Sequence, residues 1–369
     1  MRFAYFTHSL VSCWNHGNAH FIRGVLRQLL RKGHTVEIFE PDGGWSRTNM
    51  RAEIAADGET DFRCFFPDLR SISYGEDFNV EGALDRADIV IVHEWTDPQL
   101  IAEIGRARRE GGRFWLLFHD THHRAVSDPQ AIRSLDLEDY DGVLAFGETL
   151  ADVYRRQGWE DRVFVWHEAA DITLFKPVSD ERPKAGLVWI GNWGDDERSS
   201  EIETFLLDPA AALGAALVIH GVRYPDHALK ALANRGGRYL GWLPNVRVPE
   251  IFASHLATVH VPRRFYAETL PGIPTIRMFE ALACGIPLVS APWEDSEGLF
   301  RPGTDYLVAR SGGEMELHLA DILADPDLRR ELSANGLETI ITRHTCAHRA
   351  AELVDIVHTL SGSLETGAA

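Results

Sequence analysis

Short apolar runs of strand length alternate with segments of helical periodicity along the chain. An apolar run at residues 3–6 precedes residues 19–32, whose apolar positions fall on one helical face. Gly33 follows at a typical helix stop, and residues 36–39 form the next apolar run. Near-continuous apolar strands separated by helices are typical of a parallel sheet that helices cover on both faces.

The same alternation continues to the C-terminal region, with one interruption. Further strands are predicted at residues 89–92, 114–118, 143–146, 163–166, 187–190, 216–220, 257–261 and 287–289. Helices are predicted at residues 98–110, 148–157, 199–207, 225–234, 249–255 and 275–284. The interruption is KPVSDERPK, residues 176–184, which is polar, contains two prolines and has the composition of a linker.

We therefore predict an α/β protein with two doubly wound, Rossmann-like domains that face each other across a cleft. The first domain takes residues 1–175 and the second residues 176–345. Residues 346–369 form a final amphipathic helix and a small polar tail, and the pattern allows that helix to pack on either domain.

Composition and charge exclude several classes of protein. Apolar residues make up 45% of the chain and charged residues 25%, which is typical of a folded globular protein. The 37 Lys and Arg residues against 55 Asp and Glu residues give a formal net charge of −18. This balance argues against a nucleic-acid partner, since general binding of nucleic acid needs a broad basic face. A local basic pocket for a phosphate-bearing small molecule is compatible with it.

The cysteines and the first residues indicate a cytoplasmic protein. Cys13, Cys64, Cys284 and Cys346 are scattered, without the spacing of a zinc site or a redox CxxC motif. The N-terminal sequence MRFAYFTHSL lacks the apolar run and cleavage site of a signal peptide. No segment approaches the ~20 apolar residues of a transmembrane helix, so we expect none.

The loop after the first strand is the first candidate for substrate contacts. In open α/β sheets ligands bind beyond the carboxyl ends of the strands, and with two such domains the cleft is the natural site. The loop ends in His16, Gly17 and Asn18, which we predict to contact substrate. It does not contain the GxGxxG dinucleotide fingerprint. The alternative is a polar turn in which Asn18 caps the following helix.

A second candidate is HDTHHR, residues 119–124, which follows a predicted buried strand. His119 and His123 have the i, i+4 spacing of helical zinc ligands, but no HExxH pattern surrounds them, and we predict no metal site. We predict instead a neutral His119 that hydrogen-bonds a sugar hydroxyl, with Asp120 and His122 beside it. The alternative is a strand-end turn capped by Asp120. His93-Glu94-Trp95 also follows a strand and lines the same cleft or its rim.

In the second half, GNWGDDERSS follows the strand at residues 187–190. A glycine-rich turn that leads into a helix presents backbone N–H groups to an anion. Arg198 adds a donor with bidentate geometry for phosphate. The alternative is a turn capped by Asp195 or Asp196, with Arg198 paired to an acid.

Residues 260–292 contain the densest set of candidates. A strand ends at Arg263, and Thr275 begins a helix that carries Arg277 and Glu280. The helix start suits a phosphate oxygen, and Glu280 lies about one and a half turns further along, where a carboxylate can accept hydrogen bonds from a ribose diol. The alternative is a surface helix with an Arg277–Glu280 i, i+3 ion pair, which contributes only a few tenths of a kcal/mol.

Three motifs resemble one family. FEALACGIPLVSAP, residues 279–292, resembles the nucleotide-binding signature of retaining glycosyltransferases of the two-Rossmann-domain (GT-B) type, and is most similar to the CgeB-like branch of the group-one transferases. GNWGDDER resembles the first phosphate loop of their C-terminal domain. HEAADITLFKP, residues 167–177, resembles the motif at the end of their N-terminal domain.

The resemblance implies a metal-independent, hexosyltransferase-type enzyme with a UDP- or GDP-linked sugar as donor substrate and no further cofactor. It implies that the second domain holds the donor and the first an unidentified acceptor. His119, Arg198 and Arg277 are then the catalytic candidates. The residues implied to bind the nucleotide are Gly191, Asn192, Trp193, Arg198, Arg263, Thr275, Ile276, Arg277 and Glu280.

One departure keeps two other functions open. The family's E-x7-E signature has its first acid eight residues before the second, and that position here is Gly272. The sugar-contacting acid is therefore missing or replaced by backbone N–H groups near residues 272–275. The alternatives are a GT-B enzyme that does not transfer sugar, such as a sugar-nucleotide 2-epimerase, and a non-catalytic nucleotide-sugar-binding protein.

Overall fold

The computed structural model describes residues 1–10, 17–57, 65–159, 162–179, 184–194 and 196–366. The chain divides into two compact units. Unit 1 comprises Met1–Glu168 and Cys346–Ala369, and unit 2 comprises Ala169–Thr345. Each unit is a parallel sheet with helices packed on it, which confirms the predicted class of two doubly wound α/β domains.

The described residues of unit 1 form a sheet of seven parallel strands in the order β3-β2-β1-β4-β5-β6-β7. The strands are β1 (Arg2–Phe6), β2 (Thr35–Pro41), β3 (Ser71–Tyr74), β4 (Ile89–His93), β5 (Trp115–Asp120), β6 (Gly142–Ala145) and β7 (Val163–Val165). In the register, Phe3 pairs with Val36 on one side and Ile89 on the other. Every residue of β4 is buried, as expected for a central parallel strand that is covered on both faces.

The helices of unit 1 follow the predicted periodicity where apolar spacing is strong. They are Gly17–Arg31, Trp45–Asp57, Val80–Leu84, Pro98–Arg109, Arg124–Ser127, Pro129–Arg133, Glu148–Tyr154 and Cys346–Thr366, with a π-helical turn at Arg155–Trp159. The helix Pro98–Arg109 starts as its sequence predicts, because the Asp97 side chain accepts from the Gln99 N–H and Pro98 occupies the first turn.

The last helix belongs to unit 1, which resolves the two options that the sequence leaves for it. It packs against the helix Gly17–Arg31, where the Cys346 thiol lies 3.8 Å from the Phe21 carbonyl oxygen. The buried Trp166 indole N–H donates to the Arg349 carbonyl at 2.9 Å. The chain therefore leaves unit 1 after Glu168 and returns to it at Cys346.

Within the part of unit 2 that the structure describes, six parallel strands form a sheet in the order β10-β9-β8-β11-β12-β13. The strands are β8 (Leu187–Ile190), β9 (Leu217–His220), β10 (Arg238–Tyr239), β11 (Ala257–His260), β12 (Leu288–Ser290) and β13 (Leu307–Val308). The helical segments are Ser199–Ile202, Glu203–Leu207 (π), Asp208–Ala212, Asp226–Asn234, Asn245–Arg247 (3₁₀), Val248–Ala253, Arg264–Glu268, Ile276–Cys284, Gly312–Ala324 and Pro326–Arg343.

The elements that the apolar pattern misses share simple features. Strands β3, β10 and β13 have two to four residues, lie at sheet edges and are only partly buried, so they lack a continuous apolar run. Helix Pro326–Arg343 mixes polar and apolar positions, although Asp325 and Pro326 give a clear start signal. Within the described residues, the structure has no helix long and apolar enough to cross a membrane.

The ends of β8 and β9 approach so closely that only glycine fits at residue 221. A Cβ at Gly221 would lie 2.0 Å from the Gly191 carbonyl oxygen. We expect Gly221→Ala to destabilise unit 2 by about 2 kcal/mol or more, because the backbone must separate. Denaturant unfolding measures this, and Gly313→Ala is the control, since a Cβ there meets nothing within 4 Å. Equal stability of the two variants would contradict the expected clash.

Candidate functional site

Polar side chains in unit 1 concentrate at the carboxyl ends of β4 and β5. His93 is the last residue of β4 and pairs in register with His119 of β5. Glu94 and Asp120 follow them, and all four residues are buried. Buried polar groups at adjacent strand ends are the expected signature of a ligand site in an α/β sheet. We call His93, Glu94, His119, Asp120 and Arg124 the unit 1 strand-end cluster.

His119 lies in an aromatic environment and is neutral. Its Nδ1 lies 2.5 Å from the Tyr5 hydroxyl oxygen, and its ring contacts Trp166 at a centroid distance of 4.8 Å. Complete burial lowers the pKa of His119 to about 3, so the imidazole is uncharged at neutral pH. Its Nε2 is buried and has no hydrogen-bond partner in the part of the chain that the structure describes. This nitrogen is the atom of His119 that a ligand hydroxyl would satisfy.

The predicted substrate loop reaches the same strand ends through Asn18. The Asn18 amide lies 3.1 Å from His93 Nε2 and 3.0 Å from Thr121 Oγ1. The alternative that Asn18 caps the helix is wrong, because the helix already begins at Gly17. His16, the third predicted substrate contact of this loop, lies outside the described residues. Asn18 therefore holds the start of this helix to the ends of β4 and β5.

Two buried carboxyl groups lie side by side at these strand ends. Asp120 accepts hydrogen bonds from the Tyr154 hydroxyl at 2.7 Å and from the His122 N–H at 3.1 Å. The hydrogen bond from the His122 N–H forms the strand-end turn capped by Asp120, which was the alternative to a substrate contact. Burial raises the pKa of Asp120 to about 6, and burial together with the Asp120 charge raises the pKa of Glu94. Arg124 lies 3.6 Å from the Glu94 carboxylate and offsets part of this charge.

The remaining histidines of HDTHHR contact rings and hydroxyls. His122 lies with its ring 5.4 Å from that of Trp95 and 3.9 Å from that of His123. His123 Nδ1 lies 2.8 Å from Ser127 Oγ. Among the residues with described positions, no three His, Cys, Asp or Glu side chains are grouped so as to hold a metal ion.

In unit 2, the glycine-rich loop after β8 is fixed between the ends of β8 and β9. The Gly191 N–H donates to the His220 carbonyl at 2.9 Å, and the Asn192 side-chain oxygen accepts from the Val222 N–H at 3.0 Å. Trp193 is buried, and its indole N–H donates to the Asp196 carboxylate at 2.6 Å. Residues 191–194 of the loop that resembles a phosphate loop are therefore held in place by hydrogen bonds within unit 2.

Arg198 is buried at the start of the following helix. Its guanidinium donates to the carbonyl oxygens of Asn192, at 2.7 Å, and Val261. Burial lowers the pKa of Arg198 to about 10, so it stays charged at neutral pH. It forms no ion pair with an acid among the described residues, contrary to the alternative interpretation. A buried cation held by neutral carbonyls keeps its charge available to an anionic ligand.

Gly194 makes room for Arg198. Its φ is +91°, and a Cβ there would lie 3.0 Å from the Arg198 Nε. Glycine at this position therefore allows the positive φ and leaves space for the Arg198 side chain. The other predicted phosphate donor, Arg263, pairs with Glu197, its Nε 2.6 Å from that carboxylate.

The helix Ile276–Cys284 begins at Thr275 without a side-chain cap. The Thr275 hydroxyl contacts His260 Nε2 instead, at 3.1 Å, and His260 Nδ1 lies 2.9 Å from Ser290 Oγ. Burial lowers the pKa of His260 to about 3, so this link is neutral. The first N–H groups of the helix, including that of Ile276, are thus left without a side-chain cap, as an anion site requires.

Glu280 lies on this helix, and the surface-helix alternative for it is wrong. The predicted Arg277–Glu280 ion pair is present, but the Glu280 carboxyl is fully buried and also accepts from the Asn245 side-chain amide at 2.9 Å. Sequence reasoning missed Asn245 and His260. His260 carried a signal, since it is a polar residue at the end of the buried run ATVHV.

Comparisons with known proteins give one family match and many matches in fold. Residues 198–355 match the family model described as Glycosyl transferase-like, a segment that includes Arg198, Thr275 and Glu280. No curated protein sequence matches the chain significantly. Many solved structures match it over nearly its whole length.

Three of these solved structures are representative. Sucrose-phosphate synthase from Thermosynechococcus elongatus is 15% identical, with 98% of this chain and 99% of that chain covered and a TM-score of 0.66. Anabaena HepE in complex with UDP and glucose is 13% identical, with 96% and 99% covered and a TM-score of 0.67. An alpha-glucosyltransferase in complex with UDP and a 13-mer DNA containing an HMU base is 13% identical, with 97% and 99% covered and a TM-score of 0.69.

The chain has the GT-B fold. At these identities the likeness establishes architecture, and the chemistry has to be argued from the residues themselves. Unit 2 carries the buried Arg198 and the helix start without a side-chain cap, and unit 1, taken by itself, carries the buried His119 and the carboxyl pair.

The carboxyl pair makes the stability of unit 1 depend on pH. The pKa of Asp120 has its ordinary value of 3.8 in the unfolded protein and is about 6 in the folded protein. Between these values the folded state binds more protons, so the unfolding free energy falls as pH rises. We expect Asp120→Asn to remove this fall, and the variant to gain on the wild type by on the order of 2 kcal/mol from pH 4 to pH 7.

Urea unfolding at a series of pH values measures this difference. The buried His119 acts in the opposite direction, because its lowered pKa costs stability below about pH 6.5. His119 is present in both proteins, so the variant minus wild-type difference reports Asp120 together with its coupling to Glu94. Asp77→Asn, at an exposed aspartate, is the control and should leave the pH profile unchanged. A difference between Asp120→Asn and wild type that is constant with pH would show that the pair does not share its charge in this way.

Proposed function

We propose that this protein is a retaining glycosyltransferase that moves a hexose from a UDP-linked donor to a second substrate. The observation that carries the proposal is the set of buried groups at the strand ends of unit 2. Arg198, the capless helix start at Thr275 and the buried Glu280 are the three elements that a nucleoside diphosphate requires, and all lie in the segment that matches the family model. Solved neighbours in complex with UDP support UDP over GDP.

The diphosphate leaving group is stabilised by charge that is fixed before substrate binds. Arg198 is held in place by backbone carbonyls, and the helix that begins after Thr275 has no side-chain cap on its first N–H groups. As the bond to the sugar breaks, negative charge grows on the β-phosphate, where these donors stabilise it. Gly191, Asn192 and Trp193 shape the loop on which the phosphates lie, and Arg263 and Arg277 add positive charge beside it.

The ribose is held by Glu280, whose carboxylate accepts hydrogen bonds from both hydroxyls. Arg277 and Asn245 hold the carboxylate in place. The acceptor binds unit 1, where His119, Asp120, His122 and Asn18 offer hydrogen-bond partners. The neutral imidazole of His119 orients the sugar, and the departing phosphate takes the acceptor proton. Attack on the face that the leaving group vacates retains the configuration, and no enzyme nucleophile is needed.

The acceptor is proposed to be a carbohydrate or other small molecule. The alpha-glucosyltransferase neighbour was solved with DNA, but this chain has a net charge of −18, which disfavours a polyanionic acceptor. The CgeB-like branch within the glycosyltransferases remains a prediction from FEALACGIPLVSAP. Incubation with a panel of UDP- and GDP-sugars separates the functions: a transferase hydrolyses or transfers the sugar, an epimerase yields a new sugar nucleotide, and a binding protein only binds.

Glu280 offers the sharpest mutational test. Glu280→Gln keeps the shape and the contact with Asn245 but removes the charge that strengthens two hydrogen bonds to ribose. Because hydrogen bonds to charged groups contribute about 1.5–3 kcal/mol each, we expect UDP affinity to fall at least tenfold in calorimetric titration.

The matched control for this variant is Glu250→Gln. Glu250 forms the same i, i+3 ion pair, with Arg247, but on an exposed helix end. It should leave both UDP affinity and stability nearly unchanged. Glu280→Gln should also lose stability, since Arg277 keeps a partly buried charge without its partner, so titrations are run well below the melting temperature. Unaltered affinity for UDP and GDP would remove Glu280 from the nucleotide site.

Turnover is expected to be independent of divalent metal ions. Arg198 and the helix start supply the positive charge that a metal would otherwise provide beside the diphosphate. We expect donor hydrolysis in EDTA to stay within twofold of the rate with added Mg²⁺ or Mn²⁺. Loss of hydrolysis in EDTA, followed by recovery with a divalent ion, would assign the charge neutralisation to a metal instead.

A further inference from the structure

The position where the E-x7-E signature has its first acid favours glycine in this structure. Gly272 has φ +90°, a conformation that side-chain-bearing residues rarely adopt. A Cβ built there would lie 2.5 Å from Ser296 Oγ and 3.0 Å from Glu297 Cγ. The departure at residue 272 therefore has a physical cause: another loop occupies the space.

That loop brings its own carboxylate to the same place. The Glu297 Oε1 lies 3.1 Å from the point where a Cβ of residue 272 would be. Glu297 follows β12 in the chain, and it lies 17 residues beyond Glu280 rather than eight before it. Sequence spacing could not reveal this proximity, because it arises from the packing of two loops.

The two loops are tied together by backbone and side-chain hydrogen bonds. The Gly272 N–H donates to the Glu294 carbonyl at 2.8 Å, and the buried Trp293 indole N–H donates to the Ile273 carbonyl at 3.1 Å. The Asp295 carboxylate accepts from the N–H groups of Leu299 and Phe300, which closes the turn around Glu297. The side chain of Glu297 is thus carried by a fixed turn and does not lie on a free loop.

We propose that Glu297 contacts the donor sugar, with its carboxylate accepting hydrogen bonds from sugar hydroxyls. This inference rests on the proposed function. Gly272 lies three residues before Thr275, where the diphosphate meets the helix start, and the sugar is attached directly to that diphosphate. A carboxylate at this place repels phosphate but suits the hydroxyls of a hexose, so it distinguishes the sugar from the nucleotide.

The test separates recognition of the sugar from recognition of the nucleotide. Glu297→Gln and the wild type are titrated with UDP and with the UDP-hexose that the wild type hydrolyses fastest among UDP-glucose, UDP-galactose and UDP-N-acetylglucosamine. We expect the variant to bind UDP within twofold of the wild type. Its kcat/KM for hydrolysis of the UDP-hexose should fall at least tenfold.

Glu294→Gln is the matched control, because Glu294 is exposed on the same turn and contacts Gly272 only through its backbone carbonyl. It should retain both UDP binding and hydrolysis. Glu297→Asp keeps the charge on a shorter side chain and should fall between Glu297→Gln and the wild type. Melting curves confirm that each variant is folded.

The outcomes distinguish this inference from the proposed function. Equal hydrolysis by Glu297→Gln and the wild type overturns the sugar contact. An equal loss of UDP and UDP-hexose binding also overturns it, since Glu297 would then act through the shape of the loop. Failure of the wild type to bind either UDP or GDP overturns the proposed function and this inference together, whereas UDP binding with no sugar-specific loss overturns only the inference.

Discussion

The burial of the Glu280 carboxylate is the constraint on which the unit 2 site depends. A carboxylate with no exposed surface is tolerated only if charge and hydrogen bonds compensate it, and Arg277 and Asn245 do so. These partners link the helix Ile276–Cys284 to the segment before the helix Val248–Ala253. These protein contacts offset the cost of burying the charge, so they also fix the orientation of the carboxylate toward a ligand.

The same cost of burying a charged group applies to Arg198, which is a cation rather than an anion. A guanidinium enclosed by the carbonyls of Asn192 and Val261 is desolvated, yet it is not neutralised by an acid. In low dielectric such a charge attracts an anion more strongly than it would in water. A buried cation and an uncapped helix start within one unit form an arrangement whose electrostatics favour a phosphate.

The fold could be predicted from the sequence because parallel strands that are buried on both faces leave a strong apolar signal. The central strands β4, β5, β8 and β11 stand out for that reason, while the edge strands β3, β10 and β13 are too short and too exposed to do so. The residues that end these central strands could also be named, since topology places ligands there. His119 is a candidate for this reason, and Arg198 is one because a glycine-rich turn follows β8 and leads into a helix.

The supporting residues could not be named in the same way. Asn245 and Glu280 are 35 residues apart in the sequence. The residues around Asn245 do not indicate whether it is a half-buried hydrogen-bond donor or an ordinary turn residue. His260 was closer to recognition, since it ends a buried strand, but its role depends on Thr275 and Ser290, which meet only when β11 and β12 pair. Contacts of this kind follow from tertiary packing, which local patterns do not encode.

The unit 1 strand-end cluster shows how the same edge of a sheet can hold charge differently. Glu94 and Asp120 are both acids, and their mutual repulsion together with burial favours a shared proton over two negative charges. Beside them His119 is held neutral by burial. The edge therefore presents hydrogen-bond donors and acceptors with little net charge, which suits hydroxyl groups better than phosphates.

Gly272 shows why a missing motif residue does not imply a missing chemical group. A spacing such as E-x7-E is a statement about one helix and the loop before it, and it is informative only while both acids come from that segment. Here the loop takes a positive-φ conformation that side-chain-bearing residues rarely adopt, and the adjoining turn after β12 places the Glu297 carboxylate against it. Binding requires a carboxylate at a particular place in space, whichever segment carries it. Two loops joined by the Gly272–Glu294 and Trp293–Ile273 hydrogen bonds can provide that carboxylate as well as a single loop can. The sequence position of the first acid is therefore occupied by Gly272, while the carboxylate of Glu297 lies next to that glycine in space.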